Sequence, residues 1–116
     1  MKTLEQIRDE IALLLGYTKR PDESTWWDCD TTSCNYHPVP STIDGIAALW
    51  PEGWYTSIDE LLNYPCGHEL RWRATAKRAC KAGETEVLHV STNGPTEYKT
   101  RLRLLHAALA ATRSPK

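Results

Sequence analysis

Two thiols and an imidazole crowd one short stretch of the chain: Cys29, Cys34 after four intervening residues, and His37 after two more. A second thiol–imidazole pair follows at Cys66 and His68. Thiolate sulfur and imidazole nitrogen are the ligands zinc prefers, and four in a tetrahedron close a structural site. Cys29, Cys34 and His37 with Cys66 or His68 would make such a staple, with no open position for water. The spacing departs from the short Cys–Cys knuckle of zinc modules, and Cys66 with His68 is a poor second half. The preferred reading is therefore no cofactor, with small buried thiols and a loop histidine; zinc is the alternative.

The same residues raise a nucleophilic reading. Cys34 with His37, or Cys66 with His68 or His89, could form a thiolate–imidazole pair, but a reactive thiolate needs an electropositive setting. Asp28 and Asp30 would raise the pKa of Cys29, and no third orienting group announces itself. Carboxylates such as Asp22-Glu23 and Asp59-Glu60 are sequence neighbours and would face opposite ways on a strand. Gly94-Pro95-Thr96 lacks the lysine and spacing of a phosphate loop. No enzymatic activity is expected; a Cys/His-dependent enzyme is the alternative.

Arg71 and Arg73, with Lys77, are expected to share one face of a strand, and Trp26 and Trp27 could stack bases of a single-stranded nucleic acid. No recognised nucleic-acid module accompanies them. The sharper expectation is protein contact, because aromatic side chains concentrate in interface centres. Trp26, Trp27 and Tyr36, with Arg71 and Arg73, are the expected partner-binding residues. Exposed indoles would equally suit a homo-oligomer.

These residues must be held by a thin core. The chain has 116 residues, enough for a single domain spanning 1–116, and its five Trp, five Tyr and many Leu stand in for a total lack of Phe. Residues 1–66 carry four Lys or Arg against eleven Asp or Glu, whereas residues 67–116 carry ten against four. Two halves that pack and compensate account for this asymmetry most simply. The start of the sequence has no signal-peptide pattern, and no apolar run approaches a membrane span. A cytoplasmic, reduced protein is expected, with its cysteines unpaired.

Leu4, Ile7, Ile11, Leu14 and Leu15 make an apolar stripe between Thr3 and Gly16, which predicts a first helix over 4–15. Residues 17–40 have little periodicity and many turn formers, and read as a long irregular loop. Ser41 with Asp44 suits a helix start, and Pro51 ends that helix near Leu49 or Trp50. Gly53 frees the backbone to reverse, and Trp54 begins a strand. This corner, 41–57, is the stretch around which the rest looks arranged, though it carries no catalytic signature. Residues 59–64 fit either the strand or a short helix from Ser57. Leu70, Trp72, Ala74 and Ala76 alternate with polar residues as a half-buried strand does. Ala82-Gly83 signals a turn before a third strand over 86–91, and Thr96 or Asn93 caps a last helix over 96–112. The order predicts an α+β fold: a small antiparallel three-stranded sheet layered with helices, α-β-α sandwich-like.

The combination of Ser41 and Asp44, the run Leu49-Trp50-Pro51-Glu52-Gly53-Trp54, the strand residues Trp72-Arg73-Ala74, and Gly94-Pro95-Thr96 before a Leu/Ala-rich helix resembles the phage ABA-sandwich family. These are small uncharacterised proteins encoded by phages and prophages. The likeness covers roughly residues 41–112; the cysteine-bearing loop 28–37 departs from it. It implies a layered α/β sandwich and a phage origin, and transfers no activity or catalytic residue. The function expected is that of a small phage or prophage accessory protein acting by binding, one version being modulation of a host defence protein. A zinc-stapled structural or nucleic-acid-binding module is the alternative.

Overall fold

The computed structural model describes residues 3–19, 26–27, 33–34, 37–78 and 88–113, with the backbone alone at 33, 34 and 113. Helix α1, Leu4–Leu14, starts on a reciprocal cap: Thr3 Oγ1 accepts from the Gln6 N–H at 3.2 Å, and Gln6 Oε1 accepts from the Thr3 N–H at 2.8 Å. It ends in a Schellman arrangement, with Gly16 N–H donating to Leu13 O and Tyr17 N–H to Ala12 O. The stripe read from the sequence is its buried face, Ile7, Ile11 and Ala12.

Three two-residue strands follow, β1 Thr18–Lys19, β2 Trp26–Trp27 and β3 Ser33–Cys34, antiparallel in that order. The 17–40 stretch is thus not wholly irregular. Strands so short leave no period-two pattern, which is why the sequence did not reveal them.

Helix α2 is only Ile43–Ala47, and its cap is Thr42, one residue beyond the expected Ser41: Thr42 Oγ1 accepts from Gly45 N–H at 3.1 Å. Tighter turns carry the chain on to Trp50, through Leu49 N–H to Ile46 O and Trp50 N–H to Ala47 O. Gly45 is required by close approach, since a Cβ there would lie 2.4 Å from Pro40 Cβ. Gly53 takes a φ of +93°, the reversal expected before the strand.

The main sheet has the order β4–β5–β6, all antiparallel: β4 Trp54–Glu60, β5 Trp72–Arg78 and β6 His89–Gly94. Residues 59 and 60 are strand, while 61–64 are turn and irregular backbone, neither strand nor helix. Strand β6 runs through Asn93-Gly94, beyond the expected end at Ser91. It can do so because Gly94 has no side chain where Thr100 of the last helix closes on it; an added Cβ would lie 2.5 Å from Thr100 Oγ1. Register puts Trp54, Thr56, Ile58, Trp72, Ala74, Ala76, Val90 and Thr92 on one face, and Tyr55, Ser57, Asp59, Arg73, Thr75, Lys77, His89, Ser91 and Asn93 on the other.

Helix α3, Glu97–Arg113, is capped by Thr96, whose Oγ1 accepts from Lys99 N–H at 3.2 Å. It is the element buried on two sides. Leu104 meets Ala74 and Ala76 of the sheet, while Leu102, Leu105 and Leu109 meet Ile7, Ile11, Trp26, Val39 and Ile46. The layers therefore stack as sheet, α3, α1, with Trp50 packed against both clusters. The fold is α+β, a three-stranded antiparallel sheet layered with helices. Among the described residues, no helix is long and apolar enough to cross a membrane.

Candidate binding surface

His37 is held at both ring nitrogens. Its Nδ1 accepts from Val39 N–H at 3.0 Å, which places the ring proton on Nε2, and Nε2 donates to Asp9 Oδ1 of α1 at 2.7 Å. Two further bonds fix the same strap: Arg8 Nη2 donates to Val39 O at 2.6 Å, and Tyr98 Oη donates to Pro40 O at 2.7 Å. Burial pushes the Tyr98 phenol above its ordinary pKa, with the Arg8 guanidinium pulling the other way. Residues 37–40 are thereby tied to α1 and α3. A zinc ion could use His37 only by displacing one of its two hydrogen bonds.

Trp26, expected at an interface, lies in the core at 4 % exposure, its ring 5.2 Å from that of His37 and the Lys19 ammonium 5.7 Å from its centroid. It serves the monomer as a packing residue. Trp27 is half-buried. Cys29 and Tyr36 lie outside the described residues, and Cys34 is placed by its backbone, opposite Trp26 in the ladder.

Cys66 and His68 sit in the connection between β4 and β5, residues 61–71. Cys66 is a free, exposed thiol, and His68 Nδ1 accepts from Leu70 N–H at 3.1 Å while its ring stacks on Tyr64 at 4.9 Å. Arg71 turns back into this connection, donating to Tyr64 O and pairing with Glu60 at 3.5 Å, and its side chain is 14 % exposed. It braces the loop and does not join Arg73 in a basic stripe. Arg73 and Lys77 are exposed on the open sheet face, where Arg73 lies between Asp59 and Asn93. Among the described residues, no group of three or more His, Cys, Asp or Glu side chains is gathered to hold a metal ion.

The corner at 41–57 forms a different kind of site. Ile43, Ile46 and Ala47 of α2, Trp50, Trp54 and Thr56 of β4, and Arg101 of α3 line a groove of about 230 Å³. The two indoles meet at 5.8 Å with planes tilted by 53°. The Trp54 indole N–H is buried and has no hydrogen-bond partner among the described residues. Arg101 is held by Glu97 one turn earlier, at 2.9 Å. Beside the groove runs β4, the first strand of the sheet, and among the described residues no strand pairs with its outer edge.

None of these groove residues was among the expected partner-binding residues; the sequence marked 41–57 as a structural corner only, and did not single out Arg101. The signal for Arg101 was its place four residues after Glu97 on a helix; nothing local marks β4 as an edge. No family model, curated protein or solved structure matches the chain.

Proposed function

We propose that this chain acts by binding a protein partner and has no catalytic role. The observation that carries this is the edge of β4, unpaired among the described residues, lying along an apolar groove. An unpaired edge is a row of hydrogen-bonding groups able to pair with another chain, and a concave apolar lining is where a partner's side chains lose water. A phage or prophage accessory role, with a host defence protein as one version of the partner, is the biological setting suggested by the resemblance of the corner and the last helix. The test is site-specific photo-cross-linking in the producing cell, with the photoreactive residue at Tyr55 on the strand or at Leu13 on α1, both exposed. The reading expects a discrete protein adduct from position 55 and not from position 13. Identical adducts from both, or none from 55, would sink it.

A further inference from the structure

The same edge also carries information on the partner's chemistry. Resting on the binding reading, we propose that β4 takes up an extended segment of its partner as a fourth strand, with apolar side chains at alternate positions and Lys or Arg between them.

The register says which backbone groups are offered. Leu61 N–H donates to Arg71 O at 2.6 Å, so these two form a hydrogen-bonded pair. Such pairs alternate along an antiparallel ladder. Residues 59, 57 and 55 therefore bond inward to β5, and the peptide groups of Trp54, Thr56, Ile58 and Glu60 point outward. Among the described residues the edge carries few defences, its charges being Asp59 and Glu60 at one end. Sheets commonly blunt exposed edges with Lys, Pro, a bulge or a very short strand. Strand β4 is seven residues, WYTSIDE, paired without interruption and containing neither Lys nor Pro.

The outward-pointing residues carry their side chains on the α3 side, and Trp54 and Thr56 line the groove. A strand added here sends every second side chain over Ile43, Ile46, Trp50 and Trp54, which selects apolar groups. The charge of the intervening positions comes from the rim. The sequence holds no Lys or Arg from Pro21 to Leu70, and Asp44, Glu52 and Asp59 are exposed around α2 and β4, Glu60 being paired with Arg71. Arg101, the groove's own cation, is already held by Glu97. On the open face, the residues next to an added strand are Tyr55, 72 % exposed, and Asp59 further along β4, while Arg73 and Lys77 stand one strand further in. A ring face and a carboxylate on one side of the strand both favour a cation in the added one.

The experiment uses fluorescent, acetylated seven-residue peptides and anisotropy titration of the full chain. One peptide alternates Leu with Lys and a second alternates Leu with Glu. Two more repeat the first with N-methyl groups on either alternate set of amides. The Leu/Lys peptide should bind at least tenfold more tightly than the Leu/Glu peptide, and one methylated set alone should abolish binding. Thr56→Pro removes an outward N–H without touching the β5 ladder, a position where proline is tolerated. It should weaken the Leu/Lys peptide at least tenfold with an unchanged circular dichroism spectrum. Should that variant fail to fold, the double variant Glu52→Lys, Asp59→Lys should reverse the order of the two peptides. Equal binding of both charges, indifference to both methylation sets, or full binding by Thr56→Pro would overturn the proposal. So would no peptide binding with a dimer that Thr56→Pro makes monomeric, since the edge would then belong to a second copy. A position-55 adduct alongside no peptide binding would leave the binding reading standing and end this one.

Discussion

Asp9 and His37, twenty-eight residues apart in sequence, meet at 2.7 Å with the imidazole proton between them. The bond closes the long 17–40 connection onto α1, and the Nδ1 contact to Val39 fixes which nitrogen donates. A double-mutant cycle of Asp9→Ala and His37→Ala should return a coupling of about 0.5–1 kcal/mol, modest because Asp9 is partly open to solvent. A coupling of zero in urea unfolding would mean the pair does not hold the strap.

Because His37 is engaged at both nitrogens, the strap should not need a metal. Chelator is expected to leave the thermal midpoint unchanged. A fall on chelation that Cys34→Ser reproduces would instead restore the zinc staple with His37 as a ligand.

Tyr98 makes stability depend on alkaline pH. Burial raises its pKa above the ordinary 10.0, so above that value the unfolded chain releases a proton that the folded chain still holds. The stabilisation is complete below pH 10.0 and is lost as pH rises through the folded-state value. Tyr98→Phe should remove this alkaline slope. It should also cost roughly 0.5–1.5 kcal/mol at neutral pH through the lost bond to Pro40. An unchanged slope in the variant would assign it elsewhere.

Gly45→Ala sets two effects against each other. Helix propensity favours alanine by about 1 kcal/mol. Against it, the new Cβ would lie 2.4 Å from Pro40 Cβ and 2.7 Å from Thr42 Oγ1, and Pro40 is itself tied to Tyr98. Overpacking of this kind costs about 1–3 kcal/mol, so net destabilisation is expected. A rise in the midpoint would show that α2 can slide.

Trp54→Phe should be neutral or stabilising. Among the described residues the buried indole N–H has no partner, an arrangement that costs about 1–3 kcal/mol. Phenylalanine keeps an aromatic ring against Trp50 and drops the donor. A loss above about 2 kcal/mol would mean that packing outweighs the donor.

The parts of the fold legible in the sequence were those whose cause is local. Thr3 and Gly16 bracket α1, Thr96 starts α3, and Ala74 and Ala76 alternate with polar residues because one sheet face meets Leu104. What escaped depends on distant partners. Strand β6 continues through Gly94 only because Thr100 packs there, and nothing near Gly94 announces that. Arg71 keeps the alternation of Arg73, yet the strand begins at Trp72, which frees its guanidinium to fold back on Tyr64. Trp26 looked like a contact residue because indoles suit interfaces; Ile7, Ile11 and His37 claim it instead. The groove was half visible, since Trp50, Pro51 and Trp54 marked a corner, but that β4 is an edge is a property of the whole sheet.

Helix α3 is the shared wall of both apolar clusters, and the other elements among the described residues precede it in the chain. During synthesis, neither the sheet nor α1 has a finished surface to bury against until Leu102, Leu104, Leu105 and Leu109 have left the ribosome. Trp26, Trp50, Ile46 and the β4 strand then wait together in an incomplete chain. Folding should accordingly wait for α3 and be all-at-once, and a nascent chain stalled before Glu97 should be the form most exposed to chaperones and proteases.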